Sequence, residues 1–501
     1  MATGVESLGG TRPRAHRPPT TAGASRLGVA LVWVERDAFP ITIAALYAIV
    51  LLVALPGELV QDSWATLVAG REIAQHGLPH HENLTVMAHG VRWIDQQWLA
   101  QVFFYELFRV GGYRLILLTH ALLVASAFAL SLVAARRRGG SALSVFLVAV
   151  VCFFVAPWAW QMRAQSFAPL LFVGVLWLLV EDERRPSKKV FAALPLLVLW
   201  ANLHGTVVLG AALVALYGLV RIVGGDRPAR FKGAALLGLA PLAVVCSPYG
   251  FSLVGYYRHL LVNPPFGRLV GEWTPPTPRP ITALFYFLAF ATAWGIGRWG
   301  GKLSVFERLA LVLTLASALT ATRNIVWFGI TALVLLPSLV DEARSRPITA
   351  AHRSVRTALG LAAMAGVVTA AAVVAAKPDG WYDHLWHDRA AAAVAAATRD
   401  PGTRVFASDR YADWLLWREP GLAGRVAFDV RFELNTRAQV RRLYDFFGRI
   451  GPHWQAPARG YRVVVLDRHS HERVRFALRE AGQMRETYID PSLAVLVSRT
   501  G

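Results

Sequence analysis

Residues 39–57 read FPITIAALYAIVLLVALPG, an apolar stretch without a charged residue that is followed closely by Asp62. A helix needs about 20 mostly apolar residues to cross a bilayer, so this stretch predicts a membrane-spanning helix. The whole chain has the same character, because 55% of its 501 residues are hydrophobic, only 17% are charged, and the mean hydropathy is +0.42. We therefore expect a polytopic membrane protein rather than a set of soluble domains.

Apolar stretches of spanning length recur along the chain. Asn202-Leu203-His204-Gly205 interrupts one long apolar run, which reads either as two spans or as a single kinked helix. Taking it as two spans gives an α-helical polytopic protein with about 11 transmembrane helices. The predicted spans are 39–57, 113–134, 142–159, 166–181, 189–203, 204–222, 232–248, 281–298, 304–321, 323–340 and 356–376.

The positive charge of the chain supports this count. A formal net charge of +20 alone is compatible with a nucleic-acid-binding protein. However, 23 of the 52 Lys and Arg residues lie in the N-terminal leader and every second loop, whereas only nine lie elsewhere before residue 377. This bias predicts a cytoplasmic N-terminus and, after eleven spans, an extracytoplasmic C-terminus. We therefore expect membrane lipid as a partner and no nucleic acid.

The predicted spans divide the chain into three parts. Residues 1–38 form a basic cytoplasmic leader, and residues 39–376 form the transmembrane domain, whose first outward loop, 58–112, carries helical stretches at Ser63–His76 and Trp98–Phe108. The tail, 377–501, alternates β-like and helical runs and predicts a small α/β domain outside the membrane. The β-like runs are Arg404–Ala407, Arg425–Phe428, Arg462–Leu466, Thr487–Ile489 and Ala494–Val497, and the helical runs are Tyr411–Trp417, Arg437–Phe447 and Glu472–Glu480.

The sequence gives little indication of a cofactor. Cys152 and Cys246 lie in apolar stretches, which provides neither a disulfide framework nor thiolate ligands, and no phosphate-binding glycine loop is present. His80-His81-Glu82 contains metal-ligating residue types, but adjacent side chains point in different directions. We expect no cofactor and no metal site, and leave a divalent cation open as an alternative.

Polar residues that membrane helices tolerate poorly recur at the predicted outward ends of the spans. An Arg at the centre of a spanning helix costs about 2.5–3.5 kcal/mol on insertion scales, so such residues either snorkel to the interface or find anionic partners. Their recurrence on one side predicts an outward-facing polar site. The set is Asp62, Arg163 with Gln165, Asn202 with His204, Glu272 with Trp273, and Arg323 with Asn324.

Several of these residues belong to stretches of sequence that resemble a known protein superfamily. Asp62–Ile73, Gly77-Leu78-Pro79 and Trp93–Leu99 resemble the first extracytoplasmic loop of bacterial membrane proteins of the GT-C glycosyltransferase superfamily. The similarity is greatest to uncharacterised bacterial proteins related to dolichyl-phosphate-mannose-protein mannosyltransferases. Further similar pieces are Arg163-Ala164-Gln165, Trp200–Gly205, Ser247-Pro248-Tyr249-Gly250, Glu272-Trp273, Arg323-Asn324, Tyr411–Leu415 and Phe428–Arg431.

The resemblance implies a glycosyltransferase of a bacterial inner membrane. It would move a sugar from a polyprenyl-phosphate donor to a glycan, lipid or protein acceptor at the outer face, by an inverting displacement with a loop acid as the base. Asp62 occupies the position of that base, although an Asp here also suits the N-cap of the following helix. Cationic donors for the leaving phosphate would be Arg163 and Arg323, with His204 as a third. Candidates for the acceptor or first-loop site are Arg71, Asp95, Asn202, Glu272 and Asn324.

Four alternatives remain at this point, two for single residues and two for the chain as a whole. Asp95, between Trp93 and Trp98, can anchor the loop at the interface, and Glu272 can pair with Arg268. The chain as a whole can be a permease or flippase for a lipid-linked or small polar substrate, against which stand the odd number of spans and the lack of an internal repeat. It can also be a non-catalytic envelope protein whose tail recruits a partner.

Overall fold

A computed structural model of the protein describes residues 26–155, 161–262, 264–267, 269–344 and 352–499. Most of these residues are helical. The helices are α1 Arg26–Arg36, α2 Ala38–Glu58, α3 Gln61–His76, α4 Trp98–Arg137, α5 Ala142–Val155, α6 Ala168–Arg184, α7 Ala193–Leu203, α8 Val207–Gly224, α9 Arg227–Val244, α10 Ser252–Val262, α11 Ala283–Trp299, α12 Val305–Thr320, α13 Ile325–Leu335, α14 Pro337–Ala343, α15 Arg353–Ala375, α16 Asp379–Tyr382, α17 Asp388–Ala397, α18 Asp409–Arg418, α19 Arg437–Gly448 and α20 Arg468–Glu480.

The protein is an integral membrane protein. Within the described ranges, six helices are long and apolar enough to cross a bilayer, and a seventh crossing forms if α13 and α14, bent by 54° at their junction, count as one span. A helix is also present in each of the eleven predicted segments, including the shorter α5, α7, α9 and α12. Residues 156–159 of the third predicted span and residues 1–25 of the leader lie outside the described residues. Eleven crossings therefore remain a prediction.

The helix boundaries correct one local prediction and confirm another. α3 begins at Gln61 after an extended Val60, so Asp62 lies inside the first turn and is not the N-cap. Its charge is still favourable there, because the N-terminal end of a helix carries partial positive charge. The stretch Trp98–Phe108 is helical as predicted, and non-helical backbone at Gly111 and Gly112 separates it by a kink from the part of α4 that continues to Arg137. Gly112 has φ +60°, a conformation that suits glycine and redirects the chain from the loop into the bundle.

The tail contains a four-stranded sheet. Its strands are β1 Val405–Ala407, β2 Val463–Asp467, β3 Met484–Ile489 and β4 Leu493–Ser498, in the order β1-β2-β4-β3. β1 and β2 are parallel, whereas β4 is antiparallel to both of its neighbours. Four of the five predicted strands form, but the prediction of a strand at Arg425–Phe428 is wrong, because that segment makes only isolated bridges.

The first loop is joined to this sheet through the Arg425–Phe428 segment. Val426 bridges both Val405 of β1 and Thr85 of the loop. Backbone hydrogen bonds from Val86 N to Val426 O (2.8 Å) and from Met87 N to Ala427 O (2.9 Å) continue the pairing. Two segments far apart in sequence therefore share one hydrogen-bonded edge, and the division into a transmembrane domain and a tail domain stays a prediction.

Candidate active site

A tight turn before α6 brings Arg163 next to Asp62. Met162 N donates to Glu58 O (2.9 Å) at the end of α2, and Ser63 Oγ at the start of α3 donates to Met162 O (2.5 Å). These bonds fix the turn against the α2–α3 junction. Arg163 Nη1 consequently lies 3.5 Å from Asp62 Oδ2, and the Arg163 guanidinium also donates to Gln161 Oε1.

Glu272 and Arg323 complete the cluster from two other turns. Thr322 donates to Thr274 O from its backbone N (2.9 Å) and from Oγ1 (3.0 Å), which ties the two turns together. Glu272 lies between the two arginines, with Oε1 3.6 Å from Arg323 Nη1 and Oε2 3.8 Å from Arg163 Nη1. The Arg323 guanidinium also stacks on the neighbouring indole of Trp273, 4.2 Å from the ring centroid, which orients this cation.

The cluster borders a cleft that adjoins an apolar cavity. The cleft is lined by Arg163, Glu272 and Arg323 together with Gln161, Gln165, Ser166, Pro169 and Val326. The cavity is lined mainly by apolar side chains such as Tyr47, Phe128 and Leu333. Pro169 and Val326 line both spaces. A ligand with a charged head and a hydrocarbon chain matches this pair of neighbouring surfaces.

The charges at the site balance in pairs. Two carboxylates, Asp62 and Glu272, face two guanidiniums, Arg163 and Arg323. Burial raises the pKa of the Asp62 carboxyl above its ordinary value, and the nearby Glu272 adds to this, whereas Arg163 and Arg323 act in the opposite direction. A raised carboxylate pKa makes Asp62 a stronger base once it is ionised, which is the property that a proton acceptor needs.

Three other predicted site residues lie at helix ends and are engaged in hydrogen bonds with other parts of the protein. His204 follows α7, contacts Thr206 Oγ1 through Nδ1 (2.9 Å), and lies in the electrostatic field of Arg323 and Arg163. Asn202 Oδ1 accepts from Trp98 Nε1 (2.9 Å), while its amide donates to two carbonyls. Asn324 Nδ2 donates to Ser317 O (3.1 Å). The geometry of both asparagines indicates that they hold chain segments together.

Arg71 and Asp95 lie apart from this cluster, at the contact between the first loop and the tail. Arg71 donates to the carbonyl oxygens of Leu416 (2.7 Å) and Trp417 (3.1 Å) at the end of α18. Asp95 is buried, and its Oδ1 accepts from Gln97 N (3.3 Å). Burial raises the pKa of Asp95 to about 7, although the charge of Arg431 opposes this shift. The predicted pairing of Glu272 with Arg268 lies outside the described residues.

The tail residue Arg431 has a larger structural part than the sequence indicated. Its side chain is buried, donates to Asp429, and places Nη1 2.7 Å from Glu82 Oε2 in the first loop. Its guanidinium also stacks over Trp93, 4.2 Å from the ring centroid. Glu82, part of the predicted metal-like triplet, accepts from the backbone N of Leu84 (2.7 Å) and Thr85 (2.9 Å). Across the described ranges, no group of three or more His, Cys, Asp or Glu is arranged to hold a metal ion.

The fold is similar to that of solved oligosaccharyltransferase structures. The chain is similar to the apo oligosaccharyltransferase of Archaeoglobus fulgidus, with a TM-score of 0.51 and 12% identity over 85% of this chain and 69% of that one. It is also similar to oligosaccharyltransferase AglB from Archaeoglobus fulgidus in complex with an inhibitory peptide and a dolichol-phosphate, with a TM-score of 0.54 and 12% identity over 94% and 74% of the two chains. A further match is ArnT from Cupriavidus metallidurans bound to undecaprenyl phosphate, with a TM-score of 0.47 and 13% identity over 94% and 97%.

The sequence matches no protein-family model and no curated protein. Structural similarity at 12% identity shows the fold, which agrees with the GT-C fold that the sequence resemblance implies.

Proposed function

We propose that the protein is a glycosyltransferase that moves a sugar from a polyprenyl-phosphate donor to an acceptor at the outer face of the membrane. The observation that carries the proposal is the meeting of Asp62, Arg163, Glu272 and Arg323 beside a cleft that adjoins an apolar cavity. Glycosyl transfer from a lipid phosphate needs a base, cations for the departing phosphate, and space for a hydrocarbon chain. Each of these requirements has a candidate within this small region.

In the proposed reaction, an acceptor hydroxyl oxygen attacks the anomeric carbon of the donor sugar. Asp62 takes the hydroxyl proton, and the bond between the anomeric carbon and the phosphate oxygen breaks on the opposite face, which inverts the configuration. The polyprenyl phosphate leaves with the electron pair of that bond. Arg163 and Arg323 stabilise the resulting negative charge, because positioned cations act most strongly where charge develops.

The apolar cavity supports a polyprenyl chain rather than a soluble nucleotide as the carrier of the sugar. Its lining is apolar, and it adjoins the cleft at Pro169 and Val326, so a phosphate near the arginines can direct a hydrocarbon tail into it. The dolichol-phosphate in the complex of the archaeal oligosaccharyltransferase motivates a polyprenyl phosphate as the first probe. His204 is a candidate third donor, and next to two guanidinium charges it would donate as a neutral imidazole rather than as a cation.

The test compares wild type with Asp62→Asn in nanodiscs, using radiolabelled polyprenyl-phosphate sugars and a membrane extract as the source of acceptor. We expect transfer to fall by about 10²–10⁴ in the variant, the usual contribution of a general base. Glu72→Gln is the matched control, because Glu72 lies on the same helix and pairs with His76, and it should retain transfer. Full activity of Asp62→Asn would exclude Asp62 as the base.

The same preparation distinguishes the competing functions. If no donor supports transfer, the glycosyltransferase proposal fails. Movement of an intact lipid-linked sugar between leaflets of a proteoliposome would then assign the protein to the flippase class, and the lack of both activities would favour an envelope protein without chemistry.

A further inference from the structure

Three buried polar side chains in mutual contact lie directly behind Arg163 and have no part in the reaction described above. Glu58 ends α2, His120 lies in α4, and Ser166 lies in the turn before α6. The side chains of Glu58 and His120 are 4% and 0% exposed. Ionisable side chains inside a membrane bundle are costly to bury, and they usually mark a functional site.

The contacts run in sequence from Glu58 to the Arg163 backbone. Glu58 Oε2 lies 3.3 Å from His120 Nε2, and His120 Nδ1 lies 2.8 Å from Ser166 Oγ. Ser166 Oγ is also 2.5 Å from Arg163 O and 3.3 Å from Arg163 N. The hydroxyl therefore bonds both backbone groups of Arg163.

The chemistry of these groups fixes the direction of each hydrogen bond. A carbonyl oxygen only accepts, so Ser166 uses its single proton on Arg163 O, and His120 Nδ1 must donate to Ser166. A neutral imidazole has one N–H, which leaves Nε2 as an acceptor facing the Glu58 carboxylate. That contact needs one more proton, on His120 Nε2 or on Glu58 Oε2. Apart from His120, no group in the described part of the chain donates to either carboxylate oxygen of Glu58.

We propose that Glu58, His120 and Ser166 form a positioning network, held by one shared proton, that fixes the turn carrying Arg163 and thereby sets how tightly the lipid phosphate is bound. The three residues do not touch the reacting atoms and are not catalytic residues. The identity of the ligand rests on the proposed function, whereas the contacts of the network do not. The same turn is held at Met162 by Glu58 O and Ser63 Oγ, so the network acts where Arg163 meets Asp62.

Four variants separate positioning from simple packing. Ser166→Ala and Glu58→Leu each break the network. Glu58→Gln keeps the network intact without the shared proton, because the Gln amide can donate to a neutral His120 Nε2. Ser131→Ala is the control, since Ser131 is a fully buried serine of α4 that bonds Ala127 O and is outside the network.

The first measurement is the dissociation constant for undecaprenyl phosphate. We expect Ser166→Ala and Glu58→Leu to weaken binding about tenfold, the equivalent of about one lost hydrogen bond to a charged or positioned group, while Glu58→Gln and Ser131→Ala stay close to wild type. In an Arg163→Ala background, Ser166→Ala should have no further effect, because the network acts through Arg163. An equal loss in both backgrounds would overturn the proposal.

A second measurement does not depend on the ligand. With Cys152 and Cys246 replaced by Ala and a cysteine introduced by Gln165→Cys, the labelling rate by a water-soluble maleimide reports the mobility of the turn. Ser166→Ala and Glu58→Leu should raise the rate several-fold, and Glu58→Gln should not. Unchanged labelling in the first two variants overturns the network even if binding is normal. If the wild type binds no polyprenyl phosphate, the donor assignment fails, and labelling still decides the network.

Discussion

Glu272 and an incoming phosphate compete for the same two arginines, which predicts that Glu272→Gln increases the affinity for a lipid phosphate. Glu272 lies 3.8 Å from Arg163 and 3.6 Å from Arg323, and its side chain is 38% exposed. A phosphate bound by both guanidiniums must weaken both of these ion pairs. Exposed pairs of this kind contribute about 0.5 kcal/mol each, so two of them oppose binding by about 1 kcal/mol, or about fivefold in the dissociation constant.

The assay is equilibrium binding of undecaprenyl phosphate to protein in nanodiscs at low and high salt. Glu272→Gln should bind about fivefold more tightly at low salt, and the difference should shrink as salt screens the exposed pairs. Glu480→Gln, which removes an exposed acid at the end of α20, should leave the affinity unchanged. Weaker binding in Glu272→Gln would refute the reasoning, since it would mean that Glu272 orients the arginines rather than competing with the ligand.

Three further predictions concern stability and topology. Burial raises the folded-state pKa of Asp95 to about 7, so the folded protein holds a proton that the unfolded chain releases near pH 4, and stability falls as pH rises from about 4 to about 7. Asp95→Asn should flatten this pH dependence and raise the unfolding temperature at pH 8. A lower unfolding temperature of the variant at pH 8 would contradict the prediction. Arg431→Met should destabilise the protein by about 3–5 kcal/mol in denaturant unfolding, because it leaves Glu82 buried without its cation. Adding Glu82→Gln should recover part of this loss. An unchanged free energy of unfolding in Arg431→Met would show that the ion pair is dispensable. A cysteine at Ser470 should react with an impermeant reagent from outside the cell, and one at Gly139 should not, with the reverse result refuting the predicted topology.

Periodicity and charge in the sequence were sufficient to predict the helical bundle. The apolar stretches coincide with helices because burial in lipid leaves the backbone few alternatives, and the interruption at His204 does separate α7 from α8. The recurrence of polar residues at helix ends also predicted a shared polar site. Four of its predicted members lie together in the structure, namely Asp62, Arg163, Glu272 and Arg323.

Contacts between distant segments were beyond the reach of the sequence pattern. Arg425–Phe428 has a strand-like composition, but its partners include Thr85 of the first loop, and nothing local specifies such a pairing. The carbonyl partners of Arg71 likewise lie 345 and 346 residues away. Glu58 escaped notice because an acid in the last turn of an apolar helix carries no periodic signal, and only the position of His120 gives it a meaning.

The shared edge between the first loop and the tail has a consequence for biosynthesis. A membrane protein is inserted from its N-terminus, so the loop leaves the translocation machinery long before Val426 and Arg431 have been synthesised. Until then Glu82 lacks its cation, and the backbone of Val86 and Met87 lacks its partner strand. The loop that carries Asp62 therefore completes its fold only when the tail arrives, and a chain that stalls before the tail would carry an unfinished first loop, open to proteases and chaperones.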